Sequence, residues 1–573
     1  MASWWNGKAG RLAALVVTAA AAASCAPKAP EEPAPPVAES HREGTALSAY
    51  LAGRFAHAQG DTTAAADYYL QALRHDPDNT ELLQRGFGLL VAEGRFDDAL
   101  PLAHRILTFD ADSPIALLVA GIADARDGRF ADAEARFGAL PRKGFNAFLA
   151  PLLTAWSRTG QGQADAAVAM LKPLADTPGM QTLHAFHAGL ISDIAGKAEA
   201  AEGHYKTALA GQVSIRAIEA AGTFYQRTGK PDQASELYDR YRSEHPDTML
   251  FDGAALLAAG PAVGRAVPDA RAGIAQALFD TASILRQGSA ADLAMLFARL
   301  SLALQPRSPL AQMTVGDILT AQDRLPEANA AFAAIDPASP AHVYGRLRIA
   351  VNMDAMGDSD GALKALDALA ADQPGSIEPL LTKGDLLRRA KRFADAATAY
   401  ETALGRVSKV EPRHWLLFFS LGIAHERSGQ WPKAEAEFKR SLELRPDQPD
   451  VLNYLGYSWV DQGVNLDEGR KLIEKAVALA PRDGAIVDSL GWALYRMGDY
   501  AAAVKHLERA IELKPEDPTI NDHLGDAYWQ VGRVEEAMTQ WQRALTLDPE
   551  PEQVGPIQEK IRSGQVPTRP LAR

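Results

Sequence analysis

Cysteine is nearly absent. Cys25 is the only one in 573 residues, which excludes a disulfide within the chain and any CxxC metal or redox motif. Aromatic residues are few as well, 7% against 47% hydrophobic overall, a balance that suits alanine-rich helical packing better than a large β core. Basic residues fall short of acidic ones, 59 against 72, for a formal charge of −13. Such a field repels phosphate and argues against a nucleic-acid partner. No G-x-S-x-G elbow, HExxH helix or Walker A loop occurs, so the common hydrolase and nucleotide-binding chemistries find no carrier. His184 and His187 share one helix three residues apart but lack a third ligand, and no metal is assigned. His425-Glu426 has no second histidine at zincin spacing, and Glu535-Glu536 opens a helix, where acidic groups complement the dipole and face water. The sequence calls for no cofactor and no catalytic residue.

The longest apolar run, Leu12 to Ala23, is too short to span a bilayer, but it has the length of a signal-peptide core and follows Lys8 and Arg11. Residues 1–24 are therefore read as an export signal. The run ends in Ala22-Ala23-Ser24-Cys25, which resembles a bacterial lipobox. That resemblance implies lipidation of Cys25, and Ala26 in place of an aspartate favours the outer membrane, with the chain on its periplasmic face. The alternative is ordinary cleavage nearby and a soluble periplasmic protein. Residues 25–45 continue as a proline-rich stretch, APKAPEEPAPPVAES at its centre, expected to act as an extended tether.

What the rest of the chain has in abundance is repetition. Residues 484–515 read GAIVDSLGWALYRMGDYAAAVKHLERAIELKP. Apolar residues three and four apart mark two helices, and Gly498-Asp499 marks the turn between them. The step from Pro481 to Pro515 is 34 residues, and that from Pro515 to Pro549 is 34 again; Gly491 aligns with Gly525 and Ala503 with Ala537. A 34-residue helix–turn–helix repeat of this kind resembles the tetratricopeptide repeat (TPR). The implied fold is all-α, a right-handed solenoid of stacked hairpins, since one hairpin cannot bury its own apolar face. The spacing places an N-terminal array at 46–248, an interruption at 249–274, a C-terminal array at 275–551, and a capping helix with a tail at 552–573. Six hairpins are expected before the interruption and eight after. The interruption reads either as a change of direction or exposed loop, or as a degenerate repeat with an insertion.

In such an array the first helix of each hairpin lines the concave side. With the glycine of each hairpin at position eight, positions two, five, nine and twelve form the inward stripe. At the C-terminal end these hold Asn453 and Tyr457, then Asp488, Trp492 and Tyr495, then Asp522, Asp526 and Trp529. Aromatics beside polar groups suit a peptide-binding wall; the alternative is that Trp492 and Trp529 pack against neighbouring helices. Trp459, Leu494 and Tyr528 fall at position eleven, where packing inside the hairpin is expected. Position five carries no lysine, which argues against a clamp for a C-terminal carboxylate.

The lipobox-like start, the long array and the runs VDSLGWALYRMGDYAAAVKHLERA and NDHLGDAYWQVGRVEEA resemble the LbcA-like lipoproteins, TPR adaptors of carboxy-terminal-processing proteases. The resemblance implies a non-catalytic scaffold of the cell envelope that presents cell-wall hydrolases to such a protease. A scaffold for assembling a secretion or polysaccharide-export complex is the alternative, and an enzyme with an unrecognised site a remoter one.

Overall fold

Where a helix carries glycine at one point of its buried face, a neighbouring helix can approach until a large side chain fills the space. The chain uses this device at a constant interval. Gly491 faces Leu507, Gly525 faces Trp541, Gly422 faces Phe438 and Gly384 faces Tyr400, each pair sixteen residues apart. A Cβ built on these glycines would lie 2.6, 2.5, 2.6 and 2.4 Å from the facing side chain, far inside van der Waals contact. All four partners are fully buried. The pairing closes each hairpin, and its repetition gives the solenoid.

The computed structural model describes residues 45–564, apart from 212–213, 246–247 and 289, together with residue 566. The expected signal, the lipidated Cys25 and nearly all of the tether lie outside the described residues. Within them the protein is an all-α solenoid of antiparallel TPR-type hairpins, with no strand, and no helix is long and apolar enough to cross a membrane. It divides into two compact units, one reaching Leu369 and the other starting at Ala370.

The first unit opens with six hairpins, from Ala46–Ala58 with Thr62–His75 to Ile215–Arg227 with Pro231–Glu244. A short helix Gly253–Ala258 and a 3-10 turn Gly260–Ala262 follow. Helix Ala270–Gln287 then turns back across the first helices of the earlier hairpins. Gly273 lies against the indole of Trp156, whose Nε1 donates to His187 Nδ1 at 2.9 Å, and His187 Nε2 meets Asp280 Oδ2 at 3.0 Å. His187 is thus engaged inside the core, and among the described residues no group of three His, Cys, Asp or Glu stands close enough to hold a metal. Arg265 and Arg227 both reach the buried Asp193. A second seam joins the ends of the unit: Glu93 accepts from Arg324 at 2.9 and 3.1 Å and also from Thr62, with Arg299 at 4.0 Å.

The second unit stacks five hairpins. Their first helices are Glu378–Arg389, Trp415–Arg427, Pro449–Gln462, Gly484–Arg496 and Pro518–Gln530, and helix Pro551–Ser563 closes the stack. Trp459, Leu494 and Tyr528 are buried within their hairpins, as position eleven requires. The longer hairpin at Asn465 brings two glycines face to face: a Cβ on Gly456 would lie 2.6 Å from the Gly469 carbonyl oxygen.

Candidate partner-binding cleft

Position two, five, nine and twelve of a helix lie on one stripe, and in the second unit successive stripes stand side by side. Between them lies a cavity of about 260 Å³. Its walls are Trp415, Phe419, Ile423, Tyr454 and Tyr457, and its polar lining includes Asn453, Asp450, Asp488 and His523. Three of the eight expected groove residues, Asn453, Tyr457 and Asp488, therefore line one cavity. Asn453 is 5% exposed and its Oδ1 has no hydrogen-bond partner among the described residues. A buried amide oxygen left unpaired costs about 1–3 kcal/mol, so the position favours a ligand that supplies a donor.

Asp488 does not share that freedom. Its carboxylate holds His523 Nδ1 at 3.0 and 3.1 Å. Burial works against the imidazolium, but the charge of Asp488, then those of Asp522 and Asp526, outweighs it and raises the histidine pKa. The surrounding carboxylates thus favour the protonated form of the ring. Trp492 stacks on the His523 ring at 4.0 Å and 15°, and Tyr495 stacks on Trp492 at 4.8 Å and 11°. This gives a continuous aromatic column beside the cavity. Trp492 Nε1 is buried and without a partner among the described residues. The two aromatics are half-buried, so each packs against its neighbours and keeps part of its surface open.

The last three residues of the stripe are placed differently. Lys560, from the closing helix, puts its ammonium 2.8 and 2.9 Å from the Asp522 carboxylate oxygens and 2.8 Å from Asp526. Asp526 also accepts from Trp541 Nε1 at 2.9 Å. Burial, then repulsion from Asp522, pushes the Asp526 carboxyl up to about 6 against the pull of Lys560. Trp529 packs against Trp541 at 5.9 Å and meets the chain at Gly564. Position five offers no lysine of its own, yet the neighbouring carboxylates hold one supplied from outside the repeat. Here the wall is already occupied by the protein itself.

The sequence reading omitted the other wall. Counting from Gly422 as position eight, the same register yields Leu416, Phe419 and Ile423; from Gly456 it yields Asp450 at position two. All four line the cavity. For Leu416, Phe419 and Ile423 the signal lies one hairpin before Asn453, and for Asp450 on the same helix as Asn453. Lys560 carried no comparable signal, because it lies beyond the last repeat.

The family model for the tetratricopeptide repeat matches residues 37–80, 353–407, 381–449, 419–484 and 489–550. These segments are tetratricopeptide repeats, and four of the five matches fall wholly or mainly in the second unit. Over 152 residues, 26% of this chain, the sequence is 31% identical to a TPR repeat-containing protein of Pseudomonas aeruginosa, and spans a quarter of that protein's length. Among solved structures it is similar to yeast Tom70, with 16% identity over 90% of this chain and 95% of that one and a TM-score of 0.34. It is also similar to the APC/C hetero-tetramer Cut9-Hcn1, with 14% identity over 91% and 97% and a TM-score of 0.38. Proteins built of these repeats serve as protein-interaction scaffolds.

Proposed function

We propose that the protein is a non-catalytic adaptor of the bacterial cell envelope, held at the periplasmic face of the outer membrane by lipid on Cys25, which brings a carboxy-terminal-processing protease together with cell-wall hydrolases. The observation that carries the interaction role is the cleft, where aromatic walls surround a buried amide oxygen that no group among the described residues satisfies. A long array adds reach: an enzyme held on one hairpin group and its substrate on another meet at a raised effective concentration. The named partners rest on the likeness of the leader and of the 484–540 run to the adaptor family.

The test is a crosslinked capture from envelope extract with the full-length protein as bait, beside a Ser420→Trp variant that fills the cleft. Recovery of a processing protease and hydrolases from the wild type supports the adaptor. Recovery of export-machinery proteins instead would replace it by an assembly scaffold. Cys25→Ser tests the anchor separately, by transfer of the protein from the membrane to the soluble envelope fraction.

A further inference from the structure

The charges around the cleft are unevenly balanced. Arg388, at one end, is met by Asp385 and Tyr400, both at 3.4 Å. Asp488, on the floor, is met by His523. Asp450, at the mouth, has no ion pair among the described residues, and its side chain reaches solvent. Asp483 stands close enough to repel it: the surrounding atoms, then the Asp483 charge, raise the Asp450 carboxyl above the usual range. Asp483 itself caps its helix, accepting from Ala485 and Ile486 at 2.9 and 3.2 Å, and is held in place. Asp450 is therefore the carboxylate of the lining that no cation among the described residues pairs, while the cavity's arginine, Arg388, is engaged by Asp385 and Tyr400. Beside Asp450, Leu416 is 47% exposed, an apolar rim leading down to Phe419, Ile423 and Tyr454.

We infer that the cleft receives an extended segment of a partner protein carrying one large apolar side chain next to an arginine or lysine. This rests on the interaction role proposed above and names the chemistry of the occupant. The apolar side chain enters between Phe419, Ile423 and Tyr454. A backbone N–H of the segment donates to Asn453 Oδ1, and the basic side chain lies at the mouth against Asp450. Of the possible occupants, Asp450 disfavours an acidic or phosphorylated segment, since juxtaposed like charges repel.

Selection of short random peptides displayed on phage, against the immobilised full-length protein, tests this directly. The enriched peptides are expected to place an aromatic or large aliphatic residue within two positions of Arg or Lys. Fluorescence anisotropy with the most enriched sequence then reads the contacts one by one. Asp450→Asn should weaken binding about 1.5- to fivefold, the range of an exposed ion pair, and the loss should vanish when the peptide's base is replaced by Gln. Added salt should shrink the same difference. Asn453→Leu should weaken every peptide, with or without its base, and Ser420→Trp should abolish binding while leaving the far-UV spectrum unchanged.

No enrichment, enrichment of acidic or purely apolar peptides, or equal binding by wild type, Asp450→Asn and Ser420→Trp would overturn the inference. The two readings fail separately. If envelope partners are captured equally by wild type and Ser420→Trp, the scaffold stands and this cleft is not its docking point. If the peptide rule holds but no protease is captured, the cleft stands and the adaptor identity falls.

Discussion

At the scale of single residues the fold depends on where a side chain is missing. Gly525 lies under Trp541, which is fully buried and bonded to Asp526. A methyl group there would fall 2.5 Å from the indole, and the ring is held by burial and by its bond to Asp526. Gly525→Ala should therefore cost about 1–3 kcal/mol by overpacking, read as a lower urea midpoint and as loss of the tryptophan's buried emission. The turns offer the opposite experiment. Most hairpins turn on a glycine at positive φ, such as Gly498 at 85° and Gly532 at 81°, but Asp323 takes φ 60° with a side chain. The residue is exposed, and its side chain bonds to no group among the described residues. Asp323→Gly should relieve left-handed strain and raise stability by about 0.5–1 kcal/mol, the gain being reduced by the greater freedom of glycine in the unfolded chain. A thermal-shift series on the single variant checks the sign. The glycine and its large partner sixteen residues on were both visible in the sequence, which is why the hairpin was legible. Which polar stripe residues remain free was not, because that depends on neighbours outside the repeat.

At the scale of elements, helix Pro551–Ser563 shows how such a neighbour acts. Every repeat stacks one face on the next copy, so the last hairpin presents an apolar end that a further helix must cover. Ile557, buried at 1%, provides the apolar cover. Lys560 adds an ion pair with Asp522 and Asp526, its ammonium kept charged by the two carboxylates in spite of burial. Removing one member of a buried cluster leaves the others uncompensated, typically at a cost of about 3–5 kcal/mol. Lys560→Met should thus detach the closing helix, seen as faster amide exchange across 551–563 and across helix Pro518–Gln530. Adding Asp522→Asn to that variant should restore part of the protection, since one of the stranded charges is gone. A purely steric role for Lys560 would show no such rescue. The aromatic stripe Tyr457, Trp492 and Tyr495 follows from counting each first helix from its own glycine; the coverage of Asp522, Asp526 and Trp529 follows from this one helix, whose lysine no periodicity announces.

At the scale of the molecule, repetition explains stacking but not where an array turns back. Residues 249–274 are rich in Gly and Pro, a composition that stops helices without stating the direction in which the chain resumes. The direction is set by long-range contacts: Gly273 under Trp156, Asp280 on His187, and the Glu93 cluster, in which Glu93 and Arg324 lie 231 residues apart in sequence. That last cluster makes closure of the first unit dependent on pH. Burial works to raise the Glu93 carboxyl, but bonds from Arg324 and Thr62 and the charge of Arg299 outweigh it and hold it at about 2, below a reference value of 4.5. A carboxyl with a depressed folded pKa contributes its stability above the unfolded value and loses it as pH falls through the folded one. The contribution, on the order of 3 kcal/mol by linkage, should therefore be complete near neutrality and decline between about pH 4.5 and pH 2. Glu93→Gln should remove most of this dependence and leave Arg299 and Arg324 repelling each other at every pH. Amide exchange followed from neutral to acidic pH is the measurement: protection of helices Thr80–Ala92 and Ala291–Leu304 should fall with pH in the wild type, and in the variant should be low throughout. If wild type and variant lose protection at the same pH, the seam is held by its apolar contacts and the ion cluster only decorates it.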